Sequence, residues 1–96
     1  MEKEILLITL FDYYGELLTE KQKNYFKDYY FDNLSLSEMS ENYNISRNAI
    51  HKNIKETLEK LKYYEEKLKL FEKSEKIKKI ITNLDDDLKE KIIGLI

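Results

Sequence analysis

Cysteine and proline are both missing from this chain of 96 residues, and glycine occurs only at Gly15 and Gly94. Without cysteine there is neither a disulfide framework nor a thiolate metal site, which suits a reducing compartment. Without proline, and with so little glycine, a sheet would lack the residues that make its tight turns. Histidine is as scarce: His51 stands alone, so a metal site would need carboxylates only. The run Asp85-Asp86-Asp87 lacks the spaced ligands and turn glycine of a calcium loop, and is expected to open a helix instead. No serine has a histidine and an acid in a plausible relay, and no glycine-rich phosphate loop occurs. Paired carboxylates such as Glu65-Glu66 lie among lysines, where i to i+4 pairing on a helix surface accounts for them. No enzyme activity and no cofactor are expected. No apolar run nears the roughly 20 residues that span a bilayer. The opening MEKEILLITLF also lacks the basic region and longer apolar core of a secretion signal. The expectation is a soluble cytoplasmic protein with no membrane association.

What the chain has in abundance is lysine, glutamate, leucine and isoleucine, a helix-forming composition. At this length a chain buries only about 60–65 % of its unfolded surface, so one small core with a modest stability margin is expected. Lysine and arginine number 17 against 19 acids, for a net charge of −2. The distribution says more than the total. Residues 1–33 carry four bases and seven acids, a balance of −3. Between Asn44 and Lys62, five bases (Arg47, Lys52, Lys55, Lys60, Lys62) face two acids, a balance of +3. Nucleic-acid affinity, if carried there, should be modest and steeply sensitive to salt.

That basic segment belongs to the most informative stretch, Leu34 to Leu61. Ser35 and Glu38 form an S-x-x-E capping box, opening a short helix over about Leu36 to Tyr43. Asn44 tolerates the left-handed backbone of a tight helix exit. Ser46 then caps a second helix that begins at Arg47. Ser40 and Ala49 are small where two helices must approach, and Met39, Ile45, Ile50 and Ile54 supply apolar contacts. Two capped starts with a short break between them are the sequence form of a helix-turn-helix. On the second helix Arg47, Asn48, His51, Lys52 and Lys55 fall on positions that do not face the bundle. In such motifs that end enters the major groove: Arg pairs with guanine, Asn with adenine, and Lys neutralises phosphate. Charged helix faces are ordinarily just solvated, and it is the surrounding motif that singles this one out.

The rest of the chain supports the motif. Leu7, Leu10, Phe11, Tyr14, Leu17 and Leu18 form one helical stripe over Glu2 to about Leu18. Thr19 and Gln22 make a second capping box, opening an aromatic-rich helix to Phe31. Its rings (Tyr25, Phe26, Tyr29, Tyr30, Phe31) are expected in the core and at its rim. A base-stacking platform needs a basic groove beside it, and residues 1–33 around these rings are acidic in balance. Asp32-Asn33 should break that helix. From Arg47 no breaker occurs before Glu72, which predicts one helix of about 26 residues and about 39 Å. Ile50, Ile54, Thr57, Leu61, Tyr64, Leu68 and Phe71 give it a heptad seam. A turn is expected at Lys73-Ser74-Glu75, followed by one or two amphipathic helices broken around Asn83. The far seam (Leu61, Tyr64, Leu68, Phe71) must bury itself on this tail or on a second copy, and a homodimer is the favoured outcome.

Leu18-Thr19-Glu20-Lys21-Gln22, Leu34-Ser35-Leu36-Ser37-Glu38 and Ile45-Ser46-Arg47-Asn48-Ala49-Ile50 together resemble region 4 of bacterial sigma-70-type factors. The closer similarity is to the YlxM family of small bacterial proteins. There, the run from Tyr13-Tyr14-Gly15 through Asn53-Ile54-Lys55 to Tyr64-Glu65-Glu66-Lys67-Leu68 has close counterparts. The resemblance covers roughly residues 5 to 71, and the acidic balance and low arginine content depart from a sigma region. It implies an all-α fold and a regulator encoded beside signal recognition particle genes and acting on that pathway. It also implies that Arg47, Asn48, His51 and Lys52 would touch DNA or RNA. The expected architecture is all-α. Residues 1–62 would form a sigma-region-4-like helix-turn-helix bundle, and residues 63–96 the end of a long helix plus a short helical tail. The expected function is nucleic-acid-binding regulation, and the alternative is an adaptor that binds signal recognition particle components through the long helix and tail.

Overall fold

Short-range capping starts most of the helices in the computed structural model, which describes residues 2–96. The described chain runs α1 (Glu2–Tyr14), a 3-10 turn (Gly15–Leu17), α2 (Glu20–Tyr30), α3 (Leu36–Tyr43), α4 (Arg47–Leu68), α5 (Leu70–Ile80) and α6 (Asp86–Ile93). Thr19 and Gln22 cap α2 reciprocally, and Asp85 accepts the Leu88 amide at the start of α6. Between α2 and α3, Asn33 takes a left-handed backbone (φ 56°) and ends the aromatic helix. The fold is all-α, and among the described residues no helix is long and apolar enough to cross a membrane.

α4 is the axis on which α1, α2 and α3 pack. One core cluster joins Leu7, Leu10 and Tyr14 of α1 to Leu18, Phe26 and Leu61. A second joins Tyr25 of α2, Met39 of α3 and Ile50 and Ile54 of α4. Aromatic packing fills the first: the Phe11 and Phe26 rings stack in parallel with centroids 4.3 Å apart. Thr57, buried in the same face of α4, returns its hydroxyl to the Asn53 carbonyl at 2.9 Å, so no polar atom is stranded there.

The structure departs from the sequence expectation in three places. α1 stops at Tyr14, four residues short of Leu18. Gly15 is buried so close to Phe11 that a Cβ there would meet the ring at 3.2 Å. The 3-10 turn then points Leu17 outward at 52 % exposure while returning Leu18 to the core. Secondly, the helix expected to run from Arg47 to Glu72 ends at Leu68. Lys69 adopts φ 57°, ψ 31°, and α5 sets off in a new direction. Lys69 makes no side-chain cap; the Glu65 carboxylate does so instead, accepting the Phe71 and Glu72 amides at 3.1 Å each. The Tyr14 hydroxyl donates to that carboxylate at 2.6 Å and accepts the Leu70 amide at 3.1 Å. Burial and the Glu65 carboxylate together push the Tyr14 phenol pKa up, keeping it a donor. The turn expected at Lys73-Ser74-Glu75 is therefore helix, with Ser74 buried inside α5.

Thirdly, much of the seam expected at an interface faces the chain's own α1. Leu61 is fully buried in the core, Tyr64 lies 6.0 Å from Tyr14 ring to ring, and Phe71 lies 6.2 Å from Tyr13. Leu68 alone of the four is exposed. α1 packs on both α4 and α5. Beyond those contacts the tail is thinly covered. α5 buries Ser74, Ile81 follows buried in the turn, and no residue of α6 is buried. The described chain is elongated, 53 × 25 × 23 Å.

Candidate nucleic-acid interface

The break between α3 and α4 is built from local hydrogen bonds. The Glu38 amide donates to the Ser35 hydroxyl and the Ser35 amide to the Glu38 carboxylate, both at 3.0 Å. These bonds hold the Glu38 carboxyl pKa below its ordinary value. Asn44 takes the left-handed backbone (φ 55°, ψ 44°), and the Ile45 amide returns to the Ser40 carbonyl at 3.2 Å. The Ser40 hydroxyl donates to the Ile45 carbonyl, closing the turn from the other side. Ser46 is extended and accepts the Ala49 amide at 3.1 Å, starting α4.

Tertiary contacts then fix α3 against the bundle. The Tyr43 hydroxyl donates to the Asp28 carboxylate of α2, and the Tyr43 and Tyr25 rings lie 4.5 Å apart. Burial first, and then the Asp28 hydrogen bond and charge, push the Tyr43 phenol up to about 12. Met39 is fully buried beneath α3, opposite Ile50 and Ile54.

With Ile50, Ile54, Thr57 and Leu61 buried, the opposite face of α4 is turned to solvent. Arg47, Asn48, His51, Lys52 and Lys55 are all exposed on it. Residues 47, 51 and 55 form one row and 48 and 52 the neighbouring one, since positions four apart stack along a helix. The first turn of α4 holds no acid, and among the described residues none of these cations sits in an ion pair. Arg47 touches α3 once, donating to the Ser37 hydroxyl at 3.4 Å. Arg, Asn and Lys together offer bidentate donors for base edges and point charges for phosphates.

A family model described as "Putative helix-turn-helix protein, YlxM / p13 like" matches residues 1–94. The chain belongs to this YlxM/p13-like family. A family member from Listeria monocytogenes is 47 % identical over 90 residues, covering 94 % of this chain and 82 % of the relative. One from Bacillus licheniformis is 49 % identical over 84 residues, covering 88 % and 78 %. One from Bacillus velezensis is 46 % identical over 86 residues, covering 90 % and 78 %. The YlxM/p13-like match takes in α1 to α6 together, so the tail is part of the family pattern, beyond the residue 71 at which the resemblance ended.

The structure adds neighbours to the exposed face that spacing along the chain did not suggest. Tyr29 and Tyr30 of α2 line a cleft together with His51 and Lys55 of α4. Residues 1–33 are acidic taken together, yet the aromatic end of α2 lies beside the basic helix. No local sequence signal links residues this far apart; only the packing of α2 on α4 does.

Proposed function

We propose that this YlxM/p13-like protein is a nucleic-acid-binding regulator that lays the first turns of α4 in the major groove of a duplex. The observation that carries the reading is the uncompensated polar face. Arg47, Asn48, His51, Lys52 and Lys55 stand exposed at the start of a helix whose other face is buried. In this pose Arg47 and Asn48 read base edges, and Lys52 and Lys55 hold phosphates. Through the YlxM resemblance, the signal recognition particle and its RNA are proposed as partners, met in the cytoplasm.

Titration of labelled duplex DNA and of particle RNA tests this. If Lys52 and Lys55 neutralise two phosphates, raising salt from ~50 to ~200 mM should weaken duplex binding about 12-fold. Absence of binding at the lower salt would refute the proposal. Arg47→Ala should cost about 1–3 kcal/mol of binding and leave the melting temperature nearly unchanged, because Arg47 is exposed.

A second reading, an adaptor or homodimer joined through the tail, is favoured by the exposed apolar residues there. Leu68 is 44 % exposed, Ile80 79 % and Leu95 86 %. Exposed apolar residues mark an interaction surface where they gather into a patch. Sedimentation at high micromolar concentration addresses the dimer, and capture of particle proteins after nuclease treatment addresses the adaptor.

A further inference from the structure

The cleft between α2 and α4 is not used by a helix resting in a groove. Its floor is apolar, made by buried Ile54 with the half-buried Leu36 and Leu58. Tyr29, 37 % exposed, and Tyr30 form its aromatic side. Their rings meet edge to face, with centroids 5.0 Å apart at 85°. In such a pair at least one ring keeps both faces outside the contact, unlike the parallel Phe11–Phe26 stack of the core. At the mouth stand His51 and Lys55, one helical turn apart and both exposed. The volume is about 170 Å³, well below the roughly 300–1,000 Å³ of sites that enclose drug-sized ligands. That is room for one planar ring system. A second hollow shares Tyr29, Tyr30 and Leu58 and runs on to Lys3 and Glu4 of α1, whose opposite charges offset one another.

We infer that this cleft receives one unpaired nucleobase of the strand bound on α4, stacked on Tyr29, with its phosphate at Lys55. Three requirements of single-strand recognition meet here: an accessible aromatic face, a cation within the same wall, and continuity with a phosphate-binding surface. His51 and Lys55 belong at once to the α4 face and to the cleft mouth, so both sites would engage one molecule. The inference rests on the nucleic-acid reading above and narrows its ligand from a perfect duplex to a duplex carrying an extrahelical base.

The test uses hairpins of equal length and charge, made in DNA and in RNA. One stem carries a single bulged 2-aminopurine and the other holds the same base paired; both are titrated at ~50 mM salt. The bulged stem should bind about tenfold more tightly, the effect of one base–aromatic stack, and its fluorescence should be quenched on binding. Tyr29→Ala should abolish the preference without changing affinity for the paired stem, while Tyr29→Phe should keep it. Leu36→Phe, which fills the cleft and leaves both tyrosines in place, should also abolish it. A preference in only one of the two nucleic acids identifies the strand that supplies the base. Equal binding of bulged and paired stems overturns the cleft site and leaves the duplex reading standing. Failure of both stems to bind overturns the two together.

Discussion

At the scale of single residues, three non-glycine positions among the described residues carry a left-handed backbone: Asn33, Asn44 and Lys69. Asparagine accepts that geometry readily, whereas lysine pays about 1–2 kcal/mol for the crowding of its Cβ. Lys69→Gly removes the crowding but loosens the unfolded chain by about 0.5–1 kcal/mol. The net expectation is a gain between about 0 and 1.5 kcal/mol, with each 1 kcal/mol raising the melting temperature by about 4–8 °C in a domain this small. A fall in melting temperature would mean that the Lys69 side chain stabilises the bend.

Tyr43 gives the residue scale its pH dependence. Its phenol is raised from the ordinary 10.0 to about 12 by burial and by Asp28. A group whose pKa is raised on folding adds stability while it stays protonated. The contribution is therefore complete below pH 10.0 and is lost as pH climbs through about 12. Tyr43→Phe should cost about 1 kcal/mol at neutral pH through the lost hydrogen bond. Wild type and variant should then converge in stability across the alkaline window, read by denaturant unfolding at stepped pH. Curves that stay parallel there would remove Tyr43 from the alkaline response.

Among elements, the bend from α4 into α5 depends on a partner outside both helices. Glu65 caps α5 by accepting two of its amides, and Tyr14 of α1 bonds both Glu65 and the Leu70 amide. Glu65→Ala strips these partners and should cost about 1–3 kcal/mol. The loss should be local. Amides of Leu70, Phe71 and Glu72 should exchange faster with solvent, while those around Met39 in α3 stay protected. Uniform acceleration across α3 and α5 would show instead that the two ends unfold as one unit.

For the whole molecule, the seam of α4 divides between inside and outside. Leu61 is fully buried against α1 and α2, while Leu68, two turns on, is 44 % exposed. Leu61→Glu would bury an unpaired charge and should unfold the protein at any concentration, with far-ultraviolet dichroism lost. Leu68→Glu should leave the fold intact, with far-ultraviolet dichroism and melting temperature near those of the wild type. Should Leu68→Glu unfold the chain as well, the tail would be part of the core and not a surface.

What the sequence determined by itself is the starts of α2, α3, α4 and α6 and the helix-turn-helix break. Thr19 with Gln22, Ser35 with Glu38, Ser46 with Ala49 and Asp85 with Leu88 each close hydrogen bonds over three residues. Interactions that short need no knowledge of the fold. The exposed row from Arg47 to Lys55 was legible for the same reason: helical periodicity sorts buried from solvent faces once the apolar positions are known. Tertiary structure decided where α4 ends, because the groups that satisfy the start of α5 include Tyr14, 56 residues from Leu70. It turned Leu61 inward, because α1 covers that seam, and it turned Leu17 outward, because Gly15 tucks beneath Phe11. It also set Tyr29 and Tyr30 of α2 beside His51 and Lys55 of the basic α4. Capping and periodicity act within a turn or two of helix, whereas a cleft exists only once separate helices pack.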